Sequence, residues 1–348
     1  LDAVFYPRIT EETMRQEGWH YEIFEPESPL TRKGVVFNEM KGAYSSPDSL
    51  ISRYSEQSLF PDNAYQFDSG VDPSVIPELT YGQFKGFHER YYHPSNARIF
   101  FYGDDDPVER LRIVDEYLRD FDAQPPDSEI GLQAKLDHPQ VLRYPYPAGE
   151  DAEAQKALIT VNWLLPENKD LSQTLALLML SHMLVDTPAS PLRKALIDSG
   201  LGEEVIDRGL DDSLRQLVFK TGLKGVKAEN VDKVEPLILE TLDALVDQGF
   251  DQNTVDAAMN TVEFELREQN YGRYPRGLVV MLQALSQWLH DGDPFEAIAF
   301  EDALEAIKAR YAEDDRYFES LMASYLLENP HRTLVILEPD PELSRRRE

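Results

Sequence analysis

The chain contains no cysteine. That excludes disulfides, thiolate metal sites and a cysteine nucleophile, and it fits a reducing compartment. Long apolar runs are missing as well. The longest, Leu175-Ala176-Leu177-Leu178-Met179-Leu180, falls far short of the 18 or more residues of a membrane-spanning helix. Basic residues are scarce: 34 against 64 acidic ones, a net charge of −30. Such a chain repels phosphate backbones and anionic lipid, so neither nucleic acid nor a membrane is an expected partner. Two readings of the charge stay open, a solubility device and an attraction for basic peptides. There is no GxSxG elbow, no P-loop and no GxGxxG after a strand. Gly200-Leu201-Gly202 follows a helical segment and reads as a C-cap turn. No targeting pattern is present at Leu1-Asp2-Ala3-Val4-Phe5-Tyr6-Pro7, which reads as the end of a helix stopped by Pro7.

What is present is enough for two domains. The 348 residues are 42% hydrophobic, as in globular proteins. Two distant stretches share a pattern. Phe84 to Asp104 reads as an amphipathic helix, a proline at Pro94, then the strand Ala97 to Tyr102. Phe318 to Asp340 reads as a helix, Pro330, then the strand Thr333 to Leu337. Helix starts precede both, at Thr10-Glu11-Glu12-Thr13 and at Asp251-Gln252-Asn253-Thr254. From Thr10 to Arg98 is 88 residues and from Asp251 to Thr333 is 82, which predicts two copies of one α+β domain.

The copies differ in length. About 110 residues, from Val141, precede Asp251, and nine precede Thr10. The longer front holds a strand pair (Val141 to Tyr146, Leu158 to Leu165), a helix from Ser172 to Val185, and strands over Glu204 to Leu210 and Leu217 to Leu223. The expectation is that the first domain lacks about 100 residues at its front. The predicted boundaries are a first domain over 1–122, a linker over 123–139 around Pro125-Pro126-Asp127, a second domain over 140–340, and a charged tail over 341–348.

Among groups that could carry chemistry, Glu39 sits on a predicted helix from Val35. Val35 and Val36 before it, and Gly42 and Ala43 after it, share its side. A buried carboxylate there needs a cation or hydrogen-bond donors, so an arginine, a backbone amide or a metal would each serve. The seven histidines form no HExxH or HxxEH; His88 and His93 are five apart. The others, His20, His138, His182, His290 and His331, are isolated and read as structural or solvated.

The segment Glu17-Gly18-Trp19 with Lys33-Gly34-Val35-Val36-Phe37-Asn38-Glu39-Met40-Lys41-Gly42 resembles the presequence protease branch of the pitrilysin/insulinase metallopeptidases. So do Ser69-Gly70, Asp72-Pro73, Ile76-Pro77-Glu78-Leu79-Thr80 and Tyr92-His93-Pro94-Ser95-Asn96-Ala97-Arg98. Ser190-Pro191-Leu192, Lys194 to Ile197, Ser199 to Gly202 and His290-Asp291-Gly292-Asp293-Pro294 extend the likeness. The resemblance implies a fold of repeated pitrilysin-like α/β-roll domains, each an antiparallel-rich sheet with helices on one face. It implies a zinc endopeptidase that degrades unfolded peptides, such as targeting presequences, in a chamber closed by the C-terminal half of the same polypeptide.

The resemblance also makes Glu39 a Zn2+ ligand, beside two histidines of an HxxEH helix whose glutamate is the general base. Asn38 and Lys41 stand as supporting groups near the metal or as a solvated helix face. This chain has no HxxEH, so it is expected to be inactive and to hold zinc poorly. The second domain is expected to be catalytically silent. Some relatives carry a further glutamate seven residues before the ligand, where this chain has Arg32. The alternative is a non-catalytic structural or peptide-binding member. A bacterial cytoplasm is the favoured compartment, with the mitochondrial matrix as alternative.

Overall fold

The computed structural model describes residues 1–125, 128–148, 156–269, 272–343 and 346. Pro126 and Asp127 of the predicted linker, and 344, 345, 347 and 348 of the predicted tail, lie outside the described residues. The helices in chain order are α1 (Asp2–Phe5), α2 (Glu11–Thr13), α3 (Val35–Ala43), α4 (Pro47–Leu59), α5 (Tyr81–Tyr91), α6 (Pro107–Leu118), α7 (Leu171–Ser181), α8 (Pro191–Asp198), α9 (Val234–Gln248), α10 (Gln252–Glu268), α11 (Arg276–Trp288), α12 (Glu301–Glu313) and α13 (Tyr317–Met322). The strands are β1 (His20–Glu22), β2 (Thr31–Lys33), β3 (Gln140–Pro147), β4 (Ala157–Glu167), β5 (Glu204–Asp211), β6 (Gln216–Val226) and β7 (Arg332–Asp340). The chain divides into two compact units: Leu1–Ser46 with Phe67–Ile130, and Pro47–Gln66 with Gly131–Glu348. Residues 47–66 thus group with the second unit rather than with the rest of 1–122.

In the first unit, α1 ends ahead of Pro7, and Thr10 caps α2 by accepting from the Thr13 amide at 3.1 Å. A wide turn over Met14–Gly18 follows, then a hairpin in which His20 pairs with Lys33 and Glu22 with Thr31. Thr80 and Gln83 close a capping box on α5. Phe5, Tyr6 and His93 pack their rings on Phe121, with centroids 5.8, 5.4 and 5.3 Å away. The expected strand Ala97–Tyr102 is not a strand here. Its backbone is extended at Ala97, but among the described residues it has no ladder partner. An apolar, β-branched pattern sets the propensity for a strand, and only a neighbouring strand completes one.

The second unit holds a five-stranded sheet in the order β3-β7-β4-β6-β5. β3 and β7 run parallel and the other pairs are antiparallel, so the sheet is antiparallel-rich. The predicted pair Val141–Tyr146 and Leu158–Leu165 exists as β3 and β4, but β7 lies between them. β4 is buried on both sides. Ile159, Val161, Trp163 and Leu165 face a core built with residues of α7, α9, α12 and α13. Leu158 and Leu164 face the other way, toward Leu50, Ile51, Leu59 and Phe60. Most helices therefore gather on one face, and α4 covers part of the other. An uninterrupted apolar run such as Ala157–Leu165 is what a strand covered on both faces requires. The Trp163 indole, fully buried, donates to the Leu326 carbonyl at 2.7 Å. By length and composition Leu171–Asp198 is apolar enough to cross a membrane, yet most of its apolar residues lie inside this core.

Candidate functional site

Glu39 is carried by α3, and the packing of that helix explains much of the motif around it. Gly34 precedes α3 with φ 152° and ψ 153°, a conformation essentially restricted to glycine. It is buried against the chain at Gly18: a Cβ at Gly34 would come within 2.1 Å of the Gly18 carbonyl oxygen. Further along α3, Met40 lies over Gly70, whose hypothetical Cβ would fall 2.1 Å from the Met40 sulfur. Phe37 is the buried anchor of the helix. The Gly18, Gly34, Phe37, Met40 and Gly70 positions thus form one packing unit, although they are spread over more than fifty residues of sequence.

The opposite side of α3 is open. Glu39 is exposed, together with Val35, Val36, Asn38, Lys41, Gly42 and Ala43. This corrects the expectation of a buried carboxylate: the face is apolar in composition, but nothing described covers it, so no cation is needed to offset burial. Among the described residues, Glu39, Asn38 and Lys41 make no side-chain hydrogen bond or ion pair. Asn38 and Lys41 lie on a solvated helix surface.

Zinc needs about three protein donors with short, defined bonds. Glu39 supplies one carboxylate, and among the described residues no group of three His, Asp or Glu side chains is arranged to hold a metal. The residues present do not by themselves make a zinc centre. Several histidines instead meet backbone or carboxylate groups. His88 Nε2 is 2.9 Å from the Val4 carbonyl, and His20 Nδ1 is 2.7 Å from that of Arg15. His93 Nδ1 accepts from the Ser95 amide at 3.1 Å. In the second unit, His182 Nδ1 sits 3.1 Å from Asp186 Oδ2, beside a groove lined by Thr187, Ser190, Asn253 and Thr254 that offers no second imidazole.

Two buried polar features of the second unit were not legible from motifs. His331 is fully buried. Its Nε2 lies 3.0 Å from the Leu59 carbonyl, and the Leu136 amide donates to Nδ1 at 3.2 Å. That pair of partners fixes the neutral tautomer, with the proton on Nε2. Burial pushes the imidazole below its ordinary pKa. The second feature lies under α4, where Ser55 bonds Thr160 and Ser58 bonds Thr333, both at 2.7 Å. Lys220, opposite Asn162 in the β4–β6 ladder, is almost fully buried, and burial pushes its pKa down. The only sequence signals for either feature are a histidine just ahead of β7 and a lysine inside β6, and those do not name a role.

A model of the peptidase M16 inactive domain matches residues 78–262, just over half of the chain. Presequence protease 1, chloroplastic/mitochondrial, of Arabidopsis thaliana is 51% identical over 350 residues, covering 98% of this chain and 32% of that protein. Protein HypA of Clostridium perfringens is 40% identical over 351 residues, covering 100% and 36%. The chain thus spans about a third of the length of these curated relatives. A protease from Helicobacter pylori has a similar fold, with a TM-score of 0.68 at 17% identity over 88% of this chain and 70% of that one.

Proposed function

Because the chain belongs to the M16 peptidase family, in its presequence protease-like branch, we propose that it is the Glu39-bearing part of a zinc-dependent endopeptidase. The whole enzyme would degrade unfolded peptides of the targeting-presequence kind. Peptidases of this family are generally zinc-dependent. The observation that carries the reading is the α3 arrangement: a helix pinned on one side by Phe37, Gly34 and Met40, with the Glu39 carboxylate held open on the other. Within this chain, Glu39 would be one oxygen ligand on a rigid support, and the remaining donors would come from beyond these residues. When bound, the zinc would supply a water activated for attack on a peptide carbonyl. Asn38 and Lys41, on the same open surface, would support the metal site.

Residues 140–340 act in this reading as a catalytically silent repeat that lines the chamber. The match to an inactive-domain model favours that role. The same match favours a second reading for the whole protein, a non-catalytic member that binds peptides or serves a structural purpose. The expected compartment is the bacterial cytoplasm, or the mitochondrial matrix given the name of the Arabidopsis relative.

Zinc analysis separates the readings. In the protein extended by its natural flanking sequence, Glu39→Ala is expected to lower zinc content and peptide hydrolysis together. Loss of neither removes Glu39 from the site. On the 348-residue chain alone, elemental analysis is expected to find little zinc, and a stoichiometric amount would contradict the division of ligands proposed here.

A further inference from the structure

The first unit holds a pocket whose charge runs against that of the chain. Its volume is about 600 Å³, within the range of small-molecule sites. One wall is a single side of α5 and its cap, with Lys85, His88, Glu89 and Tyr92 at positions i, i+3, i+4 and i+7. The chain from Phe5 to Thr10 forms the other wall and brings in Arg8; His93 and Phe121 complete the lining. Four side chains that are or can become cations thus face one carboxylate, in a protein of net charge −30.

The walls are held by contacts of their own. Phe5 and Tyr6 pack on Phe121, and the Tyr6 hydroxyl donates to the Tyr117 carbonyl at 2.9 Å. His88 stacks on Tyr92, with centroids 4.6 Å apart and planes at 19°, and its Nε2 is committed to the Val4 carbonyl. Two donors are left over. Arg8 is exposed, and its guanidinium makes no hydrogen bond or ion pair among the described residues. Because His93 Nδ1 accepts from the Ser95 amide, the neutral ring carries its proton on Nε2, and that N–H meets no acceptor among the described residues.

The lining also selects the ligand. Lys85 is shared with Glu89, 3.5 Å away, so a doubly charged anion entering here meets a carboxylate as well as cations. A planar single charge fits better, and a carboxylate matches the fork of Arg8. Glu89 can accept an N–H from the same molecule. Tyr92, which is 50% exposed, forms with Phe5 and Phe121 a surface for a flat apolar group. We propose that this pocket binds the carboxyl end of short peptides whose last residue is aromatic. The free carboxylate meets Arg8 and His93, the adjoining amide N–H meets Glu89, and the ring lies against Tyr92 and Phe121. The inference rests on this pocket, not on Glu39 or zinc, so either can fail without the other.

Calorimetric titration of the 348-residue chain with N-acetyl-Ala-Phe tests it, with N-acetyl-Ala-Phe-amide as the uncharged control. The acid is expected to bind with a Kd of roughly 0.1–1 mM, as suits a ligand of that size. The amide should bind at least about tenfold more weakly, because it loses a charge-assisted pair. Arg8→Gln is expected to weaken the acid by about tenfold and to erase its advantage over the amide. Arg8→Lys, which keeps the charge and loses the fork, should retain part of that advantage. Backbone amide resonances should shift at Tyr6, Arg8, Glu89, Tyr92 and His93 and stay fixed in β4 and β7. Equal binding of acid and amide, full affinity in Arg8→Gln, or shifts centred elsewhere would overturn the proposal. So would absence of binding up to about 10 mM acid, or tighter binding of inorganic phosphate than of the acid, which would make this a phosphate site.

Discussion

His331 is the best place to test the energetics of the second unit, because one fully buried side chain ties together three separate stretches of backbone. It reaches the end of α4 through the Leu59 carbonyl and the segment before β3 through the Leu136 amide. Its own carbonyl accepts from the Leu164 amide of β4 at 3.1 Å. Replacing it with alanine leaves the Leu59 oxygen, in a residue with no exposure, without a partner. An unsatisfied buried group costs about 1–3 kcal/mol. The Leu136 amide, in a half-buried residue, adds toward the lower end of that range, and the vacated ring volume adds roughly 1–2 kcal/mol more. The expected loss is about 3–5 kcal/mol. For a unit of this size that is a fall in Tm of roughly 10 °C or more.

The pH dependence supplies a second readout of the same group. Burial lowers the folded pKa of His331 below its unfolded value of about 6.5. The unfolded chain therefore takes up the proton first. Stability is full above that pH and falls as the solution is acidified, by at most about 1.4 kcal/mol per pH unit from this residue. His290, also lowered by burial and by Arg215, works in the same direction. Urea titrations of wild type and H331A between neutral pH and pH ~5, followed by far-UV circular dichroism, measure both effects. A loss under about 1 kcal/mol, or an unchanged acid slope in the variant, would refute the assignment of His331 as a neutral, doubly bonded core residue.

Gly34→Ala should cost about 2–4 kcal/mol in the first unit, since it adds a Cβ against backbone in a conformation reserved for glycine. Gly70→Ala meets only the flexible end of Met40 and should cost about 1 kcal/mol; limited proteolysis of the two variants checks the order, and equal sensitivity would contradict it. Lys220→Met is expected to stabilise the second unit by about 1 kcal/mol at neutral pH, because a buried ammonium gives way to an apolar chain of similar length. A lower melting temperature would instead show that the ammonium contributes favourably. In the 348-residue chain, Glu39→Ala should change stability by less than about 0.5 kcal/mol, as for other exposed sites; calorimetry showing a larger loss would mean that Glu39 has a structural partner.

Much of this fold could be read locally. The caps at Thr10 and Asp251 start helices where the side chains predict them, and the apolar run Ala157–Leu165 is a strand with both faces covered. What local pattern cannot supply is the partner. β7 inserts between β3 and β4 from almost 170 residues downstream of β4. Leu50 and Ile51 mark an apolar side of α4, but not that it would lie on the second unit's sheet. Ala97–Tyr102 has the composition of a strand and joins no ladder among the described residues, because a ladder needs a neighbour. The candidate site shows the same division. Periodicity put Glu39 among Val35, Val36, Gly42 and Ala43, and the structure keeps them on one side of α3, yet that side is open. The glycines at 18, 34 and 70 are conspicuous in sequence, and only the structure shows that Gly18 meets Gly34 at the start of α3 and that Gly70 meets the Met40 side chain on it.

The most direct test of the account is the metal content of Glu39 variants in the protein extended by its natural flanking sequence. Wild type is expected to carry about one zinc per chain and to hydrolyse an unfolded basic peptide. Glu39→Ala should lose most of both while the hydrogen-exchange protection of β4 and β7 stays unchanged. Full zinc occupancy and unimpaired hydrolysis in Glu39→Ala would contradict the claim that α3 presents a metal ligand.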